Sequence, residues 1–248
     1  MTDPRPAAQA DPAAVADPLR RLVAVMDRLR SPGGCPWDAE QTHASLVPYV
    51  LEEAYEVAEA VEGGDRAHLR EELGDLLLQV VFHARIAEED PADPFDLDDV
   101  AADLVAKLVR RHPHVFGTAE VADAEGVNRQ WDAIKKAEKQ RESVLDGVPL
   151  AMGALARAQK VTSRAERSGL AAAAPPPAPL GAASAPAADG AAAGAPDGGA
   201  ASGAAGADLG ARLLALVREA GAAGLDAEGE LRRATAAWER TLRAAERA

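Results

Sequence analysis

Residues 51–87 read LEEAYEVAEAVEGGDRAHLREELGDLLLQVVFHARIA, and the fold class follows from how the apolar residues recur in this stretch. On either side of Gly63-Gly64, Leu, Val and Ala return every three or four positions, the spacing of one helix face, with none of the period-two alternation of a half-buried strand. The spacing predicts one helix over about 45–62, stopped by the glycine pair, and another over about 66–89 capped by Asp65 and closed by DPADP. So tight a turn lays the two helices antiparallel. Working outward, Leu19, Leu22, Val23, Met26 and Leu29 form a helical stripe that ends at SPGGCPWD. A further helix over about 97–111 stops before Pro113, because the residue preceding proline disfavours the helical region. A last one, over about 125–142, holds Trp131 and Ile134. The reading is all-α.

A helical wheel of the first of these two helices puts Leu46, Val50, Ala54, Val57 and Val61 on the face expected to be buried, with Glu52, Glu59 and Glu62 opposite. Glu53 breaks the pattern by falling between Leu46 and Ala60, inside the apolar sector, and Glu56 sits at its margin beside Tyr49. On the next helix Arg70, Glu71, Arg85 and Glu89 define the expected solvated side, while Glu72 and Asp75 project among Leu76, Phe82 and Ile86. Each acidic pair has i, i+3 spacing, so both members share a helix face, and the hairpin lets the pairs meet. Four converging carboxylates repel one another unless they are paired, protonated or bound to a cation. Oxygen-only donors suit Mg²⁺ or Mn²⁺ rather than zinc. The competing reading is an ordinary solvated acidic face.

Lys107 and Arg111 stand four apart on the face of Val100 and Leu104, and Trp131 and Lys135 repeat that spacing. Clustered acids with facing cations point to a polyanion bridged through metal, such as a triphosphate or diphosphate. Salt bridges between helices are the alternative.

Composition narrows the classes further. Among 248 residues, 40 Asp and Glu against 27 Lys and Arg leave a formal charge of −13, which argues against non-specific binding to nucleic acid or anionic membranes. The amino-terminal stretch MTDPRPAAQADPAAVADP has neither a basic nor an apolar signal region, and no apolar run is long enough to span a bilayer. A cytoplasmic location is expected, in keeping with a lone cysteine, Cys35. Aromatic residues make up 3%, so the core is expected to be Leu, Val and Ala. Cys35 lies in a turn before Pro36 without an evident base and is not expected to be a nucleophile. His112 and His114 flank Pro113, where capping or packing is expected. Glu40 and His43 form a single ExxH, whereas a ferritin-like di-iron site needs two.

Residues 1–17 are expected to be a disordered tail, and residues 171–207, nearly all Ala, Gly and Pro, a flexible linker. The segments CPWDAEQTH (35–43), LEEAYEVAEAV (51–61), LREELGDLLLQVVFHA (69–84), KLVRRHPHVFG (107–117), QWDAIKKAEK (130–139) and SVLDGVPLAMGALARAQKVTSRAERSGL (143–170) closely resemble, in this order, the MazG family of nucleoside triphosphate pyrophosphohydrolases. The resemblance implies an all-α helical bundle that forms a homodimer and a Mg²⁺-dependent hydrolysis of nucleoside triphosphates to monophosphate and pyrophosphate, with Mn²⁺ as a substitute metal. It implies a catalytic domain over 18–148. The family's ExxE and ExxD metal motifs fall on Glu53, Glu56, Glu72 and Asp75, its basic substrate contacts on Lys107 and Arg111, and its Trp and Lys near nucleotide on Trp131 and Lys135. A further basic contact before ExxD is matched by His68 or Arg70, and the outward position of Arg70 favours His68. Longer members carry a second, related domain, which 149–170 resembles at its start and 208–248 in its later helices. There the ExxD position offers Asp208 and Ala211, and the Lys and Arg positions offer Ala237 and Thr241, so a dead remnant is expected. Its Leu213, Leu214, Leu216, Val217, Leu225 and Trp238 are expected to pack, against the first domain or in a dimer. A non-enzymatic helical nucleotide-binding or interaction protein is the competing function.

Overall fold

The computed structural model describes residues 12–119, 123, 126, 127, 130, 131, 134, 135, 138, 143–173 and 198–247. Every regular element among them is helical, and no helix is long and apolar enough to cross a membrane. The chain divides into two compact units, Met1–Ile134 and Lys135–Ala248.

In the first unit, α1 (Pro18–Arg30) starts at Asp17, whose side chain accepts from the Arg20 N–H at 2.8 Å, with Pro18 preset for the first turn. A turn leads to α2 (Pro36–Glu40), and the chain there can only be glycine: a Cβ on Gly34 would lie 2.3 Å from the carbonyl oxygens of Arg28 and Leu29. Next, α3 (His43–Gly63) opens with a reciprocal Thr42/Ser45 capping box, worth about 1 kcal/mol, and ends at Gly64 in the left-handed conformation, φ 71°. Asp65 then accepts from the Ala67 and His68 N–H groups to start α4 (Arg66–Ala87). These two caps, on adjacent residues, fold α3 back on α4 as the main hairpin of the unit. α5 (Leu97–Arg111) has an Asp96/Asp99 capping box and Arg110 and Arg111 in its last turn, charges that complement the helix dipole at both ends. A short α6 (Pro113–Phe116) follows. The described positions of the helix expected over about 125–142 are helical.

Met26, Leu46, Val81 and Phe82 form the core, flanked by Leu22, Val23, Leu77, Leu78, Ile86 and Leu97. Arg30 fastens its edge: the guanidinium donates to both Glu89 oxygens at 2.9 and 2.8 Å and to the carbonyls of Asp38 and Gln41 at 2.7 and 3.0 Å. Arg85 joins this network through Asp27 at 2.9 Å and Glu89 at 3.0 Å. It is thus not on a solvated side, because α1 packs where the wheel of α4 alone shows open water.

Other expectations about faces also change. On α3 the covered stripe runs through Leu46, Val50, Glu53, Val57 and Ala60, while Ala54 and Val61 are exposed. An Ala-rich helix has a broad apolar sector, and the partner helix selects only one edge of it. On α5, Val100 and Leu104 are exposed with Val105, Leu108 and Val109. Among the described residues of the unit, nothing covers that face.

The second unit holds α7 (Ala154–Arg167), α8 (Leu170–Ala173), α9 (Gly198–Ala222) and α10 (Ala227–Ala245). Both α8 and the start of α9 fall within the stretch expected as linker; no proline lies beyond Pro196, so the alanines there can express their helix propensity. Residues 174–197 lie outside the described ones. Val217 and Ala211 are buried, and Leu213, Leu216, Leu225 and Trp238 are exposed within the unit.

Candidate metal and nucleotide site

Antiparallel packing of α3 on α4 brings carboxylate oxygens of Glu53, Glu56 and Glu72 within 4.8 Å of one another. Two come from the covered edge of α3 and one from α4, where Glu72 is only 6% exposed. Burial pushes the Glu53 carboxyl up, reinforced by the charges of Asp75, Glu56 and Glu72 and by a hydrogen bond with Glu56. Glu72 is raised by the same causes, burial first and then Glu56, with His68 opposing. Asp75 stands outside the closest trio, yet its charge acts on both Glu53 and Glu72, so the four acids form one electrostatic unit. They are half-buried or buried, unlike Glu52, Glu59 and Glu62 on the exposed side, so the solvated-face reading does not describe them.

One basic group lies against the acids. His68 Nε2 is 2.8 Å from a Glu72 oxygen, one helical turn away, whereas Arg70 is exposed. The donor set is otherwise all oxygen, close together and strained by like charge, which fits a hard divalent cation. The remaining expected contacts come from later elements. Lys107 is exposed on α5, contrary to its expected inward aim; Arg111 is buried at the end of that helix. Trp131 packs on His112, the residue after Arg111, with ring centroids 5.6 Å apart. His112 also bonds the Leu108 carbonyl at 2.7 Å and His114 reaches Gln130 at 3.2 Å, the capping and packing roles expected of both. Lys135 is half-buried in the second unit.

A domain model described as the MazG nucleotide pyrophosphohydrolase domain matches residues 41–116. Over 229 residues the chain is 45% identical to an uncharacterized 26.1 kDa protein in the blaB 3' region of Streptomyces cacaoi, covering 92% of this chain and 82% of that one. It is 53% identical over 150 residues to the nucleoside triphosphate pyrophosphohydrolase of Mycobacterium tuberculosis, with 60% of this chain and 45% of the relative covered. The protein of the same name from Escherichia coli K12 is 46% identical over 155 residues, with 61% and 58% covered. The chain belongs to the MazG family. It spans about half the length of the two relatives named as pyrophosphohydrolases.

The matched MazG segment contains the four acids, His68, Lys107 and Arg111, and leaves Trp131 and Lys135 outside. Sequence reading overlooked a histidine pair at the far end of the same hairpin. His43 and His83 stack with centroids 5.0 Å apart and Nδ1 atoms at 2.7 Å, and burial, then the His43 charge, lowers the His83 pKa. The two are forty residues apart, a separation that only the hairpin register makes meaningful.

Proposed function

We propose that this MazG chain hydrolyses ribo- and deoxyribonucleoside triphosphates to the monophosphate and pyrophosphate, using Mg²⁺ held by Glu53, Glu56, Glu72 and Asp75. The close oxygen cluster of Glu53, Glu56 and Glu72 carries this reading, supported by the names of the relatives. When bound, Mg²⁺ offsets the negative charge of the phosphates and polarises the α-phosphorus. The α3–α4 acids fix that position on two rigid helices. A carboxylate of the cluster accepts a proton from the attacking water as its oxygen bonds to the α-phosphorus and the bond to the bridging oxygen breaks, so pyrophosphate leaves. His68, next to Glu72, holds that carboxylate in place and adds positive charge near the phosphates when protonated. Lys107, Arg111, Trp131 and Lys135 supply phosphate and nucleotide contacts.

In this reading the enzyme works on the nucleotide pool of the cytoplasm, removing unwanted triphosphates, as a homodimer with no nucleic-acid or membrane partner. The uncovered apolar face of α5 supports self-association. A panel of NTPs, dNTPs and damaged nucleotides, assayed for pyrophosphate with Mg²⁺ and with chelator, tests the activity. Metal-dependent pyrophosphate release is expected. Nucleotide-induced thermal stabilisation without release from any substrate would instead identify a binding protein.

A further inference from the structure

One buried polar group on the α3–α4 hairpin is used neither by the fold nor by the acids. Gln79 is 6% exposed, and its side-chain oxygen is buried without a hydrogen-bond partner. Native interiors pair the great majority of such oxygens, because an unpaired one has lost its water and gained nothing. Along α4, Glu72, Gln79 and His83 follow one another at helical spacing on a single stripe. Both ends of that stripe meet α3, Glu72 through Glu53 and Glu56 and His83 through His43. Gln79 lies between them on that stripe.

Distances along the hairpin connect Gln79 to the acids. It lies one turn beyond Asp75, and Tyr49 lies one turn beyond Glu53 in the same direction, away from the Gly63-Gly64 turn. Four residues of helix advance about 6 Å. At that level Trp37 of α2 meets Tyr49 at 6.0 Å and Phe82 of α4 at 6.3 Å, both edge to face. Trp37 and Tyr49 keep 49% and 39% of their surface exposed. One helical turn past the acid cluster, the hairpin thus holds a buried, unmet acceptor on the stretch where Trp37 packs against Tyr49 and Phe82.

We propose that Gln79 contacts the nucleobase of a triphosphate whose phosphates lie at the acid cluster, and so sets base recognition; this rests on the pyrophosphohydrolase reading. One turn of helix matches the span of the pentose between α-phosphate and base. The buried oxygen accepts an N–H from the base edge while the amide nitrogen donates to a neighbouring acceptor on that edge. Rotating the amide exchanges the two roles, so one glutamine serves amino and keto bases alike. The residue therefore makes the enzyme require a base while discriminating weakly between bases.

The test compares Q79M with wild type on ATP, GTP, CTP, UTP and base-free ribose 5-triphosphate, which undergoes the same cleavage at the α-phosphorus. Methionine keeps the length and removes the polar atoms. Expected is a fall in kcat/KM of about tenfold on the nucleotides, mostly in KM. Ribose 5-triphosphate should stay within about twofold of wild type, and Tm should be unchanged or higher because an unpaired oxygen is gone. Equal losses on ribose 5-triphosphate and the nucleotides, unchanged nucleotide kinetics, or a changed oligomeric state in sedimentation would overturn the proposal. If wild type cleaves none of the five, the pyrophosphohydrolase reading fails separately. Thermal stabilisation by ATP against ribose 5-triphosphate then decides Gln79: a base-dependent part lost in Q79M supports it, and its persistence overturns it.

Discussion

In the second unit Gln159 uses both ends of its amide within the protein, donating to the Leu225 carbonyl at 2.6 Å and accepting from the Ala227 N–H at 2.8 Å; in the first, the Gln79 oxygen is buried with no partner. The carboxylates divide in the same way. Asp226 and Glu228 accept backbone N–H groups of Gly229 and Ala156 at 3.2 and 3.3 Å, whereas Glu53, Glu56 and Glu72 crowd against one another. Ala211, at the position matched by resemblance to the aspartate of ExxD, is buried at 6% exposure. Gln159, Asp226 and Glu228 are thus satisfied within the protein, whereas the Gln79 oxygen is unpaired and the three glutamates crowd one another, the pattern expected of a binding site.

The sharpest way to break this contrast is to remove acids from the hairpin. Glu53→Gln and Asp75→Asn should each lower kcat by about a hundredfold or more, with no recovery at high substrate, since the lost interaction acts in the transition state. Steady-state kinetics on purified variants check it. Ala211→Asp, the reverse change in the second unit, should add no turnover and should lower the Tm, because a buried carboxylate there meets no partner set.

Next in size are the cations. Lys107→Ala should raise KM by about tenfold with a smaller fall in kcat, if its exposed ammonium reaches bound phosphate. Arg111→Ala should raise KM similarly and also lower the Tm, because Arg111 is buried and Lys107 is not. Kinetics paired with thermal melts separate the two.

Mg²⁺ should raise the Tm by several degrees, since a ligand bound only by the native state at 100 times its Kd stabilises by about 2.7 kcal/mol. The gain depends on pH with a definite sign. Glu53 and Glu72 have raised pKa values when folded, so their protonated forms favour the metal-free fold at low pH, and that contribution is lost as pH rises through the raised values. Mg²⁺ favours the ionised forms, so the difference between Mg²⁺ and chelator should be small near pH 4.5 and largest above neutrality. Taking this difference cancels Asp65, Glu89 and Asp90, whose pKa values are lowered by backbone or arginine hydrogen bonds and which act oppositely. A gain that is flat with pH would detach the metal from these acids.

The smallest expected effect is that of truncation after Gly169, which should leave kcat within about twofold while lowering stability, as the residues assigned to chemistry end at Lys135. A folded but inactive product would mean that residues beyond Gly169 contribute to the site.

Much of the hairpin was legible because its signals are local. Gly63-Gly64, Asp65 and the three-to-four spacing all act within a few residues, and Glu53 and Glu72 stood out as acids among apolar neighbours. Faces that depend on a distant partner were not. Arg85 reads as solvated until α1 brings Asp27 against it, fifty-eight residues away in sequence. Ala54 and Val61 read as buried because an Ala-rich wheel does not show which edge the neighbouring helix will use. Gln79 did carry a signal, a lone polar residue within LLLQVVF one turn past Asp75, but its meaning depends on the oxygen having no partner, which is a property of the packed hairpin.

The central claim, that the α3–α4 acids form a metal-dependent pyrophosphohydrolase centre, is tested most directly by product analysis of wild type and Glu72→Gln with saturating NTPs and Mg²⁺. Wild type should form monophosphate and pyrophosphate in equal amounts and stop on addition of chelator, and the folded variant should form almost none. Wild-type rates from Glu72→Gln, or products that are diphosphate and orthophosphate, would contradict it.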